Sequence, residues 1–457
     1  MACLNSEESC GQFSAELIKP SSPTPPSLQR LSFSMLDQLS PSNYVPMAFY
    51  YPAAEGDSPT RISVQLLKTS LSQILTKFYP LAGRINGNAW IDCSDQGAAF
   101  VVARASCPLS SFLVRGSEPE SARRVLPIGV ETNDPFRGCA LIIQMTMFPC
   151  GGAVIGVRVC HKICDASSRT VFVNAWAALC RGDPHVTAAP EFISTKLFPP
   201  PPPPPPNRDD NPHQQTITSP SRALELKRDE SLMTKKYVFS ASSVLALKAK
   251  GASEQVPKPS RVEAVTALLW KCAIKARRTS HNNHPIHSVM TQAVNLRTRL
   301  HPPLPDSCIG NLILCYAPFY QNHDTPNTEV PDLRELVAIL RRGLSEMSDK
   351  YVERLRRGGD EANRAIAESF REIEEITGGE GAEVYRFTSW CGFPVYEADF
   401  GGGAPACVGI AASPFKNVGV LMDAKDGCGV EAWLCLSAHD MESIDTNNDL
   451  LASLSCD

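Results

Sequence analysis

The stretch VRVCHKICDASSRT, from Val157 to Thr170, contains the pair of residues on which the interpretation of this chain depends. A mostly apolar run leads into it, small polar residues follow it, and His161 and Asp165 stand four positions apart. Such a pair occurs as a catalytic base with an orienting carboxylate, as half of a metal site, or as a histidine that merely ends a strand. The spacing alone does not choose among these three interpretations.

Apolar periodicity places this stretch at the junction of a strand and a helix. The run over 153–160 is typical of a buried strand, and the turn PCGG links it to another strand predicted over 140–148. From Ser167 to Cys180 the apolar spacing becomes helical, and Asp165 or Ser167 is the candidate cap. A side chain at such a junction projects into a cleft while its backbone is held firmly.

The length of 457 residues exceeds what one compact core usually holds, so we expect two domains. Strands and helices alternate in both halves, which indicates an α/β or α+β class. The proline run Pro199–Pro206 favours extended polyproline II and cannot join a core. We therefore predict domains over 1–182 and 223–457, joined by a linker over 183–222. A proline-rich ligand for a partner protein is the alternative interpretation of the run.

Further elements follow from the same patterns. We predict helices over 60–79, 260–275 and, with interruptions, 333–376; strands over 289–295, 384–390, 418–422 and 430–436; and a strand leading into a helix at KKYVFSASS. The Asp426-Gly427 pair predicts a tight turn between the last two strands.

Composition excludes several classes of function. A net charge of −4 offers no basic face for nucleic acid, and no stretch approaches the ~20 apolar residues of a membrane span. The N-terminus has no secretory signal, so we expect a cytosolic protein whose 17 cysteines are reduced thiols. Cys160 and Cys164 flank His161 without forming a zinc knuckle, so we expect no metal.

Several stretches, taken together, resemble the plant BAHD acyl-CoA-dependent acyltransferases. HKICD matches the HxxxD motif of that family, and DFGGG (Asp399–Gly403) matches its DFGWG motif, with Gly402 in place of the tryptophan. Four more stretches agree in order and rough spacing: LSFSMLDQLSPSNYVPMAFYY (31–51), FYPLAGRINGN (78–88), NLRTRLHPPLPDSCIGN (295–311) and TSWCGFPVYEADFG (388–401). The lysine after His161 and the SWC triplet are most similar to the alkaloid-acetylating branch.

The resemblance implies two chloramphenicol-acetyltransferase-like domains joined by a long crossover loop, with the active site in a channel between them. It implies transfer of an acyl group, in the first place acetyl from acetyl-CoA, to a hydroxyl of an alkaloid or terpenoid. Acyl-CoA is then a co-substrate, no cofactor is bound permanently, and the protein acts as a monomer. The alternatives are an aroyl or hydroxycinnamoyl donor, and a non-catalytic paralogue that binds small molecules or partner enzymes.

The reaction needs a base for the hydroxyl proton and donors for the tetrahedral oxyanion. His161 suits the first role because the reference pKa of histidine lies near neutrality. For the second role the resemblance implies Trp390, with Thr388 close by, because both match residues that contact the intermediate in hydroxycinnamoyl-transferring relatives. A tryptophan buried in the core is the alternative.

Three further residues of the motifs receive structural roles. Asp165 invites a triad-like interpretation in which it orients the imidazole. The resemblance instead implies that it points away from the pocket and pairs with Arg297, and it places Asp399 in a loop that supports the domain interface.

Coenzyme A carries phosphates that need basic side chains or the amides of a helix N-terminus. Lys258, Ser260 and Arg261 lie at a predicted helix start, at a position that matches the nucleotide-binding region of the family. A solvated helix cap is the alternative interpretation.

Overall fold

A computed structural model describes residues 10–53, 62–113, 119–183, 189–200, 231–280, 287–320, 330–347, 349–377 and 383–454. They form two compact units, neither of which is continuous in sequence. The first contains the described residues of Met1–Pro200 together with Leu304–Leu312 and Phe393–Ala412; the second contains those of Pro201–Pro303, Ile313–Gly392 and Ser413–Asp457. Two segments from the second half of the chain thus complete the first unit. The domain boundaries predicted from the sequence placed both segments in the second domain. Most of the predicted linker lies outside the described residues.

The first unit contains a six-stranded sheet in the order β1-β6-β7-β8-β3-β14 and a three-stranded sheet in the order β2-β5-β4. The strands are β1 (Cys10–Ile18), β2 (Arg30–Ser32), β3 (Tyr44–Tyr51), β4 (Arg84–Asn86), β5 (Trp90–Asp92), β6 (Ala98–Ala105), β7 (Leu141–Met147), β8 (Ala153–Cys160) and β14 (Cys407–Gly409). Every residue of β8 is buried, as the apolar run predicts. In the turn before β8, Gly151 adopts φ +82°, a left-handed conformation that favours glycine.

The helices of this unit are α1 (Met35–Leu39), α2 (Val64–Lys77), α3 (Ser110–Leu113), α4 (Pro119–Arg124), α5 (Ala166–Cys180) and α6 (Ser194–Leu197). The two long helices, α2 and α5, pack against each other through their apolar faces. Trp176 on α5 is fully buried and donates from Nε1 to Ser70 Oγ of α2 at 3.1 Å. This contact anchors α5, the helix that follows the His161 motif.

The second unit contains the sheet order β11-β10-β13-β15-β16-β9, with β12 paired to β10. Its strands are β9 (Leu232–Phe239), β10 (Ser288–Asn295), β11 (Ile313–Tyr316), β12 (Phe319–Tyr320), β13 (Glu383–Ser389), β15 (Val418–Asp423) and β16 (Val430–Ser437). Its helices are α7 (Ala241–Lys250), α8 (Arg261–Ser280), α9 (Leu333–Glu346), α10 (Asp349–Arg356), α11 (Gly359–Thr377), α12 (Ala438–Asp445) and α13 (Asn448–Leu451).

The core of the second unit lies on one face of its sheet. Alternate strand residues such as Tyr385, Phe387 and Leu434 pack with apolar residues of α8, including Trp270. Thr388 lies in β13 between Phe387 and Ser389 and is half-buried. The alternation of side chains along a strand directs Thr388 to the face opposite the helical core.

The predicted α/β class and most predicted elements are confirmed. The strand over 153–160 and the helix ending at Cys180 agree with β8 and α5. The strand predicted over 384–390 corresponds to β13, which ends at Ser389, so Trp390 lies one residue beyond it. The Trp390 N–H nevertheless donates to Leu421 O at 2.7 Å. The predicted turn at Asp426-Gly427 links β15 and β16, and Gly427 adopts φ +71°.

Candidate active site

His161 is the first residue after β8, and α5 begins five positions later at Ala166. Its backbone N–H donates to Asn43 O at 2.9 Å, which extends the pairing of β8 with β3 beyond the last strand residue. The side chain is half-buried. A buried strand on one side and a capped helix on the other thus hold the backbone of the candidate base.

The imidazole of His161 bonds to a residue far away in sequence. His161 Nδ1 lies 3.1 Å from Oδ1 of Asn311, and Asn311 Nδ2 donates back to His161 O at 2.7 Å. The same Nδ2 donates to Asp37 Oδ1 at 3.0 Å. Because both partners of Nδ2 are acceptors, the orientation of the amide is determined, and its oxygen faces Nδ1. Nδ1 must therefore carry the proton, and Nε2 carries the lone pair that a general base needs.

Asp37 supports Asn311 from behind. It is buried on α1, and its Oδ1 also accepts the Asn311 backbone N–H at 2.9 Å. Its Oδ2 accepts from the backbone and hydroxyl of Ser34, at 2.9 and 2.6 Å, and from Ser194 Oγ at 3.2 Å. Burial raises the pKa of Asp37, and these donors oppose that shift. The chain Asp37–Asn311–His161 is a continuous hydrogen-bonded network that orients the imidazole.

Asp165 occupies a different position from the orienting carboxylate of a triad. Its Oδ1 accepts the Ser168 N–H at 2.8 Å and so caps α5. Its Oδ2 accepts the Leu312 N–H at 3.1 Å, next to Asn311. Of the two candidate caps, Asp165 and not Ser167 is therefore the N-cap. The predicted partner Arg297 lies in the second unit, fully buried, with Nη1 3.2 Å from Asn295 Oδ1, and the pairing with Asp165 stays a prediction.

The electrostatics of the site favour neutral imidazole. Burial lowers the pKa of His161 below its ordinary value of 6.5. The positive charge of Arg169 on α5 lowers this pKa further, while Asp165 and the hydrogen bond to Asn311 raise it. Since burial is the largest of these effects, the base is unprotonated at neutral pH.

Lys162, the residue after His161, is buried and bonded to three oxygens. Its Nζ donates to Asp37 O at 3.3 Å, to Gln38 O at 2.8 Å and to Asn88 Oδ1. Burial lowers the pKa of this ammonium group. Lys162 thus ties the loop of the base to the carbonyl end of α1.

The residues of the DFGGG loop bond to one another and pack against other residues of the first unit. Asp399 Oδ1 accepts the N–H groups of Gly401 and Gly403, each at 2.8 Å, and both glycines adopt left-handed φ values of +98° and +90°. Phe400 packs edge-on against Trp176, with ring centroids 4.6 Å apart. Gly402 is exposed, and a Cβ added there would lie 3.3 Å from the Ile62 side chain.

The remaining predicted residues belong to the second unit. Trp390 is buried, with only 4% of its surface exposed, and Thr388 is half-buried on β13. Their roles toward the oxyanion stay predictions.

The predicted phosphate ligands surround the start of α8. Ser260 forms a capping box with Glu263, in which Ser260 Oγ accepts the Glu263 N–H at 3.1 Å. Arg261 pairs with Asp423 at 3.0 Å and donates to Gly427 O at 3.0 Å, so it braces the β15–β16 turn. Lys258 is exposed. Arg261 is thus engaged within the second unit, and the role of Lys258, Ser260 and Arg261 toward phosphates stays a prediction.

Within the described ranges, no group of three or more histidine, cysteine or acidic side chains is arranged to hold a metal ion. The described cysteines are all free thiols. No helix among the described residues is long and apolar enough to cross a membrane.

Sequence reasoning assigned no role to Asn43, Asn311, Asp37 or Lys162. All four lie in or beside the stretches that resemble the family, which was the only signal in the sequence. Their spacing carries no periodicity that points to His161, because Asn311 is 150 positions away from it.

Comparison with known proteins identifies the family. A family model described as the Transferase family matches residues 11–451. Vinorine synthase of Rauvolfia serpentina is 35% identical over 440 residues, which cover 94% of this chain and 94% of that protein. The chain belongs to the BAHD acyltransferase family. It is therefore an enzyme.

A second relative and two solved structures are also similar to this chain. Stemmadenine O-acetyltransferase of Catharanthus roseus is 33% identical over 453 residues, covering 97% of this chain and 98% of that protein. The crystal structure of vinorine synthase has a TM-score of 0.79 at 33% identity and covers 98% of this chain and 99% of that one. F. graminearum TRI101, solved with coenzyme A and T-2 mycotoxin, has a TM-score of 0.71 at 18% identity, covers 93% of this chain and 98% of that one, and shares the fold.

Proposed function

We propose that this acyltransferase transfers an acetyl group from acetyl-CoA to a hydroxyl of an alkaloid or terpenoid, with His161 as the general base. The observation that carries the proposal is the hydrogen bond between His161 Nδ1 and Asn311 Oδ1, which leaves the lone pair on Nε2. The relatives named for the acetylation of stemmadenine and the synthesis of vinorine support an alkaloid acceptor. We expect the protein to act as a cytosolic monomer.

The reaction proceeds in a ternary complex without a covalent enzyme intermediate. Nε2 of His161 takes the proton of the acceptor hydroxyl while its oxygen attacks the thioester carbonyl. The tetrahedral intermediate then collapses: the carbon–sulfur bond breaks, the ester carbonyl re-forms, and the thiolate of coenzyme A receives the proton from the imidazolium. Each turnover yields one ester and one thiol and returns His161 to its neutral form.

The oxyanion of the intermediate needs donors in a site from which water is excluded. Trp390 and Thr388 are our candidates, because the indole N–H and the hydroxyl are both donors. Lys258 and the N-terminus of α8 are our candidates for the phosphates of coenzyme A, since Lys258 is exposed and the start of a 20-residue helix is a positive dipole end.

The test measures release of free thiol from acetyl-CoA by the purified protein, together with mass analysis of the products. The acceptor panel contains hydroxylated indole alkaloids, including stemmadenine, and terpenoid alcohols. His161→Ala should lower kcat by ~10²–10⁴-fold without changing the melting temperature, because general-base catalysis supplies about this factor. His301→Ala is the matched control: that histidine is exposed on the second unit, and its loss should leave kcat unchanged.

Three outcomes would contradict the proposal. Near-native turnover by the His161→Ala variant would show that another group is the base. Product formation with hydroxycinnamoyl-CoA but not with acetyl-CoA would correct the donor. Failure to release thiol with any donor and acceptor, by a protein that still binds the alcohols, would favour a non-catalytic role.

A further inference from the structure

Asn43 lies directly opposite the candidate base. In the antiparallel pairing of β3 and β8, Tyr44 faces Cys160, so the next pair along the ladder is Asn43 and His161. The His161 N–H donates to Asn43 O at 2.9 Å, which shows that this pair forms. Directly opposed residues of an antiparallel ladder project from the same face, with Cβ atoms ~5 Å apart. The Asn43 side chain is thus the cross-strand neighbour of the imidazole.

The side-chain amide of Asn43 differs from that of Asn311 in one respect. Asn311 uses its oxygen and its nitrogen in hydrogen bonds to His161 and Asp37. Asn43 Oδ1 is buried, and nothing in the described part of the chain donates to it. A buried acceptor without a donor is unfavourable, and in a native protein it calls for a specific explanation.

The two residues that flank Asn43 in the chain are held by hydrogen bonds. On one side, Ser42 O accepts from Cys160 Sγ at 3.7 Å. On the other side, the Tyr44 hydroxyl donates to Cys139 O at 2.6 Å. These contacts and the ladder fix the place of Asn43 next to that of the base, as a residue that contacts the acceptor requires.

We propose that Asn43 determines acceptor specificity: its amide oxygen accepts a hydrogen bond from a second donor on the acyl acceptor, beside the hydroxyl that is acylated. This inference rests on the proposed function of His161. Because the reacting hydroxyl must come within hydrogen-bond reach of Nε2, the neighbouring atoms of the acceptor pass the Asn43 amide. The donor is a second hydroxyl or the N–H of a protonated amine. A site of this kind rejects analogues that lack the donor, because the buried oxygen is then left unpaired.

The decisive variant is Asn43→Leu, which keeps the approximate shape of the side chain and removes its polar atoms. The probe is the alcohol with the highest kcat/KM in the acceptor panel, tested beside its analogue with the second hydroxyl methylated or the amine converted to its N-oxide. With the parent alcohol, Asn43→Leu should lower kcat/KM roughly tenfold or more, and leave the KM for acetyl-CoA unchanged. With the analogue, Asn43→Leu should have little effect, because the hydrogen bond is already absent.

Asn43→Asp distinguishes the two kinds of donor. It also tests the proposal if Asn43→Leu does not fold. A carboxylate at this position should lower the KM for an acceptor that carries a protonated amine, and should not lower it for an acceptor that carries only a second hydroxyl.

Asn174→Leu is the matched control. Asn174 also has a buried Oδ1 to which no described group donates, but it lies on α5, where its Nδ2 donates to Pro394 O at 2.9 Å. Its loss should lower the melting temperature and leave the acceptor KM unchanged.

The proposal is wrong if Asn43→Leu folds and keeps the parent kcat/KM for the acceptor. It is also wrong if the variant lowers kcat/KM equally for the parent alcohol and for the analogue, since Asn43 would then act on the fold alone. Neither result would affect the assignment of His161, because wild-type turnover and the His161→Ala variant test that assignment separately.

Discussion

Replacing Asp165 by asparagine would distinguish between two roles of this residue, as the cap of α5 and as a member of a catalytic triad. The carboxylate is 1% exposed and accepts two backbone N–H groups, those of Ser168 and Leu312, one on each oxygen. An amide can satisfy only one of them and presents an N–H group to the other. An unsatisfied buried donor costs ~1–3 kcal/mol, and loss of the negative charge at the N-terminus of α5 costs about 0.3–1 kcal/mol more.

Asp165→Asn should therefore lower the free energy of unfolding by roughly 1–4 kcal/mol. For a unit of this size each kcal/mol shifts the melting temperature by about 2–4 °C, so we expect a decrease of roughly 3–16 °C in a calorimetric scan. Ser63→Ala is the matched control, because Ser63 Oγ caps α2 in the same unit by accepting only the Leu66 N–H, at 3.4 Å. It should cost ~1 kcal/mol.

The same variant should alter the pH dependence of catalysis. The charge of Asp165 raises the pKa of His161, and its removal lets burial lower this pKa further. The active form of a general base is unprotonated, so the acidic limb of the kcat profile, already below pH 6.5, should move to still lower pH in Asp165→Asn. At pH values above this limb we expect a modest fall in kcat. The reason is that the bond from Asp165 to the Leu312 N–H helps to hold the neighbouring Asn311 in place.

A triad predicts a different result. If Asp165 oriented the imidazole, its amide would hold the wrong tautomer, and kcat would fall by ~10⁴-fold with little change in stability. A loss of that size with an unchanged melting temperature would refute the assignment of Asp165 as a cap.

Two further predictions test the surroundings of the base. Asn311→Leu should lower kcat by roughly 10- to 100-fold and leave the KM for acetyl-CoA unchanged. The reason is that His161 loses the partner that sets its tautomer and Asp37 loses a donor. An unaltered kcat in steady-state kinetics would contradict this prediction. Gly402→Trp should leave the melting temperature unchanged or lower it, at a cost of up to ~1–3 kcal/mol, because the new Cβ crowds Ile62. A variant clearly more stable and more active than the parent would show that the loop has room for the indole.

Much of the architecture around the site could be predicted from local patterns. The buried run of β8, the helical spacing of α5 and the choice of Asp165 or Ser167 as candidate caps depend on residues within a few positions of one another. Hydrophobic periodicity and capping report such short-range interactions directly. The position of the candidate base at a junction of strand and helix was therefore visible in the sequence.

The environment of that base was not visible. Asn311 reaches His161 across 150 positions, and Asp37 reaches Asn311 across 274, so no local pattern records these hydrogen bonds. The same holds for Arg261, which lies at the predicted helix start but pairs with Asp423, more than a hundred positions away. The role of such a polar side chain depends on which distant segments the sheet brings beside it.

The sequence by itself determined many of the strands and helices, the two candidate caps of α5 and the motifs of an acyltransferase, because each of these is encoded by neighbouring residues. The tertiary structure alone decided which nitrogen of His161 carries the proton, in which direction burial moves its pKa, and that Asn43 stands beside it with a buried amide oxygen. Tautomer, pKa and hydrogen-bond satisfaction depend on groups brought together by long-range packing and by the exclusion of water, and these exist only once the chain has folded.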